Sequence, residues 1–410
     1  MNDNGINRRR LMGAFAGGAF AGTAAWTCWN AQSANGRSFA TWESERLTAA
    51  NDQPTDAPIR ILLNENPLGC SPKAKAAAIE AVSRANCYPF DLTVRLANQL
   101  RRKHNMPLVP EPVGLSSKIT PSEDSHVLTL AGGSSELLFA IAHAFTSEGG
   151  GIVEADPSYQ ALGAFALKRP NSKAYVKRVP LLLDGDADLD GMLKAIDSDT
   201  KVVVVNNPNN PTGTAIDKSK LLDFLEQIPE RVLAVVDEAY IDFLEGTELR
   251  SVIPMALGSK NIVVTRTFSK IHGLAGLRVG YAIGPRPVIE QMQNHRVGSF
   301  SMNQCGIAAA MASLDDTEFQ IQSRGVAAES RRRITECLKE RGFNVARSDA
   351  ACVWAESKTG VLPLVEKLAQ RGILIASGLR WDRPNCLRIS VATAAQTTTL
   401  IEAMNEILSV

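Results

Sequence analysis

Lys201-Val202-Val203-Val204-Val205 runs directly into Asn206-Asn207-Pro208-Asn209-Asn210-Pro211-Thr212-Gly213. A run that is apolar at every position from 202 to 205 cannot alternate between a wet and a dry face. It reads as a strand covered on both sides. The residues after it are turn formers, and the prolines hold the asparagine between them rigidly. Val232-Leu233-Ala234-Val235-Val236 repeats the pattern and ends on Asp237. His126-Val127-Leu128-Thr129-Leu130 and Gly151-Ile152-Val153-Glu154-Ala155 are further strand candidates, and helical patterns such as Lys218 to Gln227 lie between strands. Strands alternating with helices predict an α/β fold with a mostly parallel sheet. Such a sheet binds its ligands beyond the carboxyl ends of its strands, so those ends are where chemistry is sought.

The rest of the chain bounds this core. Its 410 residues exceed one compact core and suggest two domains. A hydrophobic content of 45% with 21% charged residues excludes a disordered chain, and a net charge of +1 implies no nucleic-acid partner. After about Gly298 the pattern changes to long helices, Ile307 to Leu314 and Val326 to Arg341, with short strands. The expected division is a large domain over 88–297 and a small α+β domain over 298–410, with the segment 58–87 packed beside the small one. Six cysteines after Cys28 are scattered without a CxxC pair, which argues against structural zinc.

The N-terminus is a different kind of sequence. Arg8-Arg9-Arg10-Leu11-Met12 precedes a Gly/Ala-rich stretch to Trp26 and a small-residue exit at Ala31-Gln32-Ser33. A basic start, an apolar middle and that exit describe an export signal over 1–33, and the paired arginines resemble the twin-arginine type. Asn7 and Leu11 depart from its usual residues. An apolar stretch of about 16 residues is shorter than the ~20 that a spanning helix needs. Residues 34–57 read as a polar linker. The expectation is an extracytoplasmic or periplasmic enzyme delivered by the twin-arginine machinery.

Lys270, in Thr267-Phe268-Ser269-Lys270, follows an apolar strand pattern at Asn261 to Thr265, with Arg278 eight residues on. A lysine forms an imine with an aldehyde, while a serine hydroxyl and a guanidinium suit a phosphate ester. Pyridoxal 5′-phosphate carries both groups. Gly132-Gly133-Ser134-Ser135-Glu136 follows a strand and opens a helix. It serves either as an anion site or as a capping box. Tyr159 follows the next strand and could lie on a planar ring, or simply fill the core. Asn210 could donate to a phenolate oxygen. Asp237 needs a partner such as a protonated pyridine nitrogen, unless it is a helix N-cap. Tyr240 could share the ring oxygen with Asn210. Arg388, alternating with apolar neighbours in Cys386 to Val391, could grip a carboxylate or phosphate, or form a structural ion pair.

In order, Asn64-Glu65-Asn66-Pro67, Tyr88-Pro89, Gly133-Ser134-Ser135-Glu136, Tyr159, Asn207 to Gly213, Asp237-Glu238-Ala239-Tyr240, Ser269-Lys270, Arg278 and Arg388 resemble the fold-type I pyridoxal-phosphate enzymes of aminotransferase class I and II. Within that family the likeness is to histidinol-phosphate aminotransferases. The resemblance implies that Lys270 carries the cofactor and shuttles a proton, and that Asp237 pairs with the pyridine nitrogen. Asn210 and Tyr240 would bond the ring oxygen, and Tyr159 would stack on the ring. Ser134, Ser135, Ser269 and Arg278 would hold the phosphate. Asn66 and Arg388 would meet the substrate. Tyr88 would reach the phosphate site of a neighbouring subunit, which implies a homodimer with shared sites. Leu68 stands where the family often has an aromatic, and Ala376 where it usually has an arginine. Both changes weaken a substrate-phosphate pocket and point to another amine or amino acid as donor, with a 2-oxo acid as acceptor. Two alternatives stay open at the level of sequence: a lyase, decarboxylase or racemase using the same cofactor, and a non-catalytic exported binding protein. A regulatory module would need a DNA-binding domain that the sequence does not show.

Overall fold

The apolar runs become strands in the computed structural model, which describes residues 58–108, 126–246, 250–296 and 301–408. The expected export signal, the linker and Cys28 lie outside the described residues. In chain order the strands are β1 (Ile59–Arg60), β2 (His126–Ala131), β3 (Gly150–Asp156), β4 (Ala174–Pro180), β5 (Thr200–Asn206), β6 (Leu233–Asp237) and β7 (Ile262–Thr267). There follow β8 (Gly280–Pro285), β9 (Asn344–Val345), β10 (Cys352–Glu356), β11 (Ile373–Leu374), β12 (Ala376–Ser377) and β13 (Cys386–Ser390).

Seven of these form one sheet in the order β2-β8-β7-β6-β5-β3-β4. Strands β3 to β7 run parallel, and β8 is antiparallel to both β2 and β7. The sheet is α/β and mostly parallel, as expected. Val202 to Val205 and Leu233 to Val236 are all buried, so β5 and β6 are covered on both faces. Burying such aliphatic side chains is the main favourable term in holding this layer together.

The helices that matter for the site are α1 (Pro72–Val82), α2 (Phe90–Lys103), α3 (Ser134–Phe145), α4 (Lys218–Gln227), α5 (Gln304–Leu314), α6 (Thr317–Glu340) and α7 (Ala394–Leu408). Helix α4 shows why these segments coil. The Asp217 side chain caps it by accepting from the Ser219 and Lys220 amides, and Leu221, Phe224 and Leu225 form one buried stripe. Helix α6 begins nine residues before the sequence reading placed it, at Thr317 rather than Val326. Its first buried stripe includes Gln320 and Ser323, so polar residues hide the period there.

A second, antiparallel sheet has the order β12-β13-β10-β9, and it carries Arg388 in its central strand β13. The N-terminal segment is tied to this part of the chain. β1 pairs in parallel with β11, and α1 packs on α5. Among the described residues no helix is long and apolar enough to cross a membrane. The six described cysteines are free thiols, three of them buried.

Candidate active site

Strand register brings the ring-facing candidates together. Asn206 and Asp237 end β5 and β6, and Thr265 lies abreast of Asp237 on β7, two residues before that strand ends. Asp237 is buried, and its Oδ1 accepts from Thr265 Oγ1 at 3.1 Å, with Asn206 Nδ2 3.5 Å from Oδ2. Burial pushes its carboxyl up to about 6, against the hydrogen bond from Thr265. No ion pair neutralises it among the described residues. A buried carboxylate without a counter-ion is costly, and a cation seated beside it would recover its charged form.

Lys270 stands in the loop after β7. Its Nζ donates to Leu63 O at 3.1 Å and lies 5.4 Å from the centre of the Tyr240 ring. Burial and then the charge of Arg388 push its amine down to about 8, while Glu65 opposes them. An amine half-neutral near pH 8 is a competent nucleophile, which an ordinary exposed lysine is not. Tyr240 is buried and accepts from Asn64 Nδ2 at 3.0 Å. Burial raises its phenol further, so it is a neutral hydrogen-bond donor at any physiological pH.

Asn210 and Arg388 fix each other. Arg388 Nη1 donates to Asn210 Oδ1 at 2.6 Å, which leaves only the Nδ2 hydrogens of Asn210 to reach another group. Arg388 Nη2 donates to Leu62 O, its guanidinium lies 5.2 Å from the Trp381 ring, and its Nε is buried without a hydrogen-bond partner. Among the described residues no carboxylate pairs with Arg388. The alternative of a structural ion pair is therefore not what surrounds it. Trp381 is itself anchored by donating Nε1 to Ser158 O at 2.9 Å, beside Tyr159.

The other end of the site is built for an anion. Gly133, with φ of 91°, precedes the first residue of α3. The opening amides of a helix lack intrahelical acceptors and carry the positive end of its dipole. Arg278 crosses in front of this helix start, with Nη1 donating to Ser269 Oγ at 3.3 Å and to Ala275 O at 2.8 Å. Gly133 is needed for its positive φ, and a Cβ there would also come within 2.4 Å of Arg278 Nη2 and push that guanidinium aside. Thr267 Oγ1 donates to Ser269 Oγ at 2.9 Å, and Ser135 Oγ lies 3.4 Å from Tyr159 Oη. A helix start, hydroxyls and a guanidinium without a carboxylate partner among the described residues form a fitting cradle for a phosphate ester. Asp237, Tyr240, Asn210 and Lys270 fit the ring of pyridoxal phosphate and its aldehyde. A cavity of about 400 Å³ opens beside Ser269, lined by Arg60, Glu65, Asn66 and Gly273.

Asn66 and Tyr88 are the remaining expected site residues. Asn66 donates its amide hydrogens to Ile271 O at 2.8 Å and Ser323 Oγ at 3.0 Å, which latches the N-terminal segment to the residue after Lys270. Tyr88 is 68% exposed, with its ring 6.0 Å from Phe90. The sequence reading missed Asn64, Asn206, Thr265 and the carbonyls of Leu62 and Leu63. Asn64 and Asn206 left a trace, as members of the Asn64-Glu65-Asn66-Pro67 motif and of the turn-forming run from Asn206 to Gly213.

The aminotransferase class I and II family model matches residues 59–404. A histidinol-phosphate aminotransferase 2 of Pseudomonas fluorescens is 33% identical over 355 residues, 86% of this chain and 89% of that protein. The histidinol-phosphate aminotransferase of Bacillus subtilis is 33% identical over 86% of this chain and 92% of its own length. The crystal structure of histidinol-phosphate aminotransferase from Sinorhizobium meliloti in complex with pyridoxal-5′-phosphate superposes with a TM-score of 0.73. It is 25% identical and covers 86% of this chain and 91% of that one.

Proposed function

Because the chain belongs to the class I and II aminotransferases and is a pyridoxal-phosphate-dependent transaminase, we propose that it takes its amino group from an amino acid or amine other than histidinol phosphate and passes it to a 2-oxo acid. Arg388 carries this reading. It is a buried guanidinium, unpaired with any carboxylate among the described residues, with Nε still lacking a partner. Its neighbours hold its plane in place, which suits bidentate capture of a carboxylate. Leu68 and Ala376 support the same reading, since neither can contact a substrate phosphate as a tyrosine or arginine would.

When bound, pyridoxal phosphate supplies an aldehyde for Lys270 and an electron-withdrawing ring. Asp237 holds a proton at the ring nitrogen, and Asn210 and Tyr240 donate to the ring oxygen. Tyr159 covers the ring face, and Ser134, Ser135, Ser269 and Arg278 hold the phosphate. Lys270 Nζ, freed when the donor amine takes its place, would take the proton from the donor Cα and deliver it to the carbon that had carried the aldehyde. The low amine pKa that burial gives Lys270 keeps this base active near neutral pH.

The assembly belongs to the same proposal. Tyr88 reaches the phosphate site of a second copy, so the enzyme works as a homodimer with shared sites. Residues 88–297 act as the large domain and 298–410 with 58–87 as the small one. Twin-arginine export over 1–33 delivers the folded, cofactor-loaded enzyme outside the cytoplasm, away from histidine biosynthesis. A donor screen on purified protein, following the change in cofactor absorbance, tests the substrate reading. A carboxylate-bearing donor should react best. Turnover of histidinol phosphate as fast as that of the best donor would overturn the reading.

A further inference from the structure

Three successive residues of the N-terminal segment each hold one group of the site. Leu62 O accepts from Arg388, Leu63 O accepts from Lys270, and Asn64 Nδ2 donates to Tyr240 Oη. The first two are backbone contacts that any residue supplies. The third needs this side chain.

Asn64 is completely buried and sits at φ of 54°, a left-handed conformation that asparagine tolerates better than most residues. Its amide orientation is locked. Asn64 N donates to Ser390 Oγ at 2.8 Å, so the Ser390 hydroxyl hydrogen is free to donate, and it goes to Asn64 Oδ1 at 2.8 Å. With Oδ1 committed to Ser390, the NH2 end must face Tyr240. Tyr240 Oη therefore acts as an acceptor toward Asn64, and its own hydrogen is left to point elsewhere. Ser390 lies two residues beyond Arg388 on β13, so the strand that carries the substrate guanidinium also sets this orientation.

We propose that Asn64 is a positioning residue, which, through the relay Ser390–Asn64–Tyr240, aims the Tyr240 hydroxyl hydrogen at the ring oxygen of the cofactor. This rests on the placement of Tyr240 beside that oxygen in the proposed function. A donor at the ring oxygen lowers the basicity of the neighbouring lysine–cofactor nitrogen. Loss of the donor, or of its aim, raises the pH at which the bound chromophore changes its absorbance.

The test titrates that absorbance in the holoenzyme and in Asn64→Gly, which accepts the left-handed backbone and removes the amide. Ser390→Ala is the second variant, because it unlocks the amide while leaving Asn64 in place. Both should raise the midpoint, Asn64→Gly more than Ser390→Ala and neither as far as Tyr240→Phe. Asn64→Gly should lower kcat about two- to tenfold, the worth of one hydrogen bond, with KM little changed. In the Tyr240→Phe background, Asn64→Gly should move the midpoint no further. If Tyr240→Phe shifts the midpoint but neither single variant does, or if Asn64→Gly adds an equal shift in the Tyr240→Phe background, the relay is wrong and the placement of Tyr240 stands. If Tyr240→Phe itself leaves the midpoint in place, the placement of Tyr240 fails and the relay with it.

Discussion

Asp237 and Glu238 are adjacent buried carboxylates on opposite sides of the end of β6, and the protein treats them in opposite ways. On the far side, Arg266 pairs with Glu238 Oε2 at 2.8 Å, Ser251 Oγ donates to Glu238, and Val252 N donates at 2.8 Å. On the cleft side, Asp237 receives Thr265, the Ala239 backbone amide and a long contact from Asn206, with no cation paired to it among the described residues. A buried charge that the chain neutralises itself holds the fold together. One that it leaves for another molecule to neutralise marks a site.

The largest expected effect lies on the cleft side. Lys270→Ala removes both the nucleophile and the proton carrier, so kcat should fall by about 10⁴-fold or more, with thermal unfolding little changed. A variant retaining a tenth of the activity would break the contrast at its start. Asp237→Asn should lower kcat/KM by about 10²–10³-fold, the cost of losing one preorganised charge partner, measured in steady-state assays with saturating cofactor. Glu238→Gln should do the reverse. It leaves the buried Arg266 with only the more distant Asp242, 3.9 Å away, as counter-charge and should destabilise the fold by about 2–4 kcal/mol in denaturant titration. Equal losses of stability from both substitutions would erase the distinction.

Acidity sharpens the same comparison. Burial raises the Asp237 carboxyl from its ordinary 3.8 to about 6, so the cofactor-free folded protein keeps a proton that the unfolded chain releases. That contribution is fully present below about pH 4, is lost by about pH 6, and leaves an ionised buried group costing about 2–3 kcal/mol above it. Without cofactor, Asp237→Asn should therefore gain stability over the unsubstituted protein as pH rises through this window. A difference that stays flat from about pH 4 to about pH 7 would contradict the assignment. The smallest effect falls at the anion cradle. Gly133→Ala places a methyl against Arg278 and should weaken cofactor retention about tenfold in equilibrium dialysis, without altering the donor preference.

The sheet was legible because strands buried on both faces must be apolar throughout, and Val202 to Val205 satisfy that without context. Lys270, Asp237 and Asn210 were legible because each follows such a strand. β8 was not, since its antiparallel insertion between β7 and β2 is a property of pairing and not of composition. Nor were the groups that orient the site. Asn64 meets Ser390 across 326 positions, and Thr265 meets Asp237 across 28, so only the folded chain brings them together. The motif that holds Asn64 also singled out Asn66, but not its hydrogen bonds to Ile271 and Ser323, which hold the backbone beside Lys270.

Which amine holds the cofactor decides whether Lys270 is the nucleophile. Borohydride reduction of the purified holoenzyme, followed by peptide mass mapping, reads this directly. The account predicts a reduced pyridoxyl group fixed on the peptide containing Lys270 and on no other lysine. A label on a different lysine, or none after the absorbance has bleached, would contradict it.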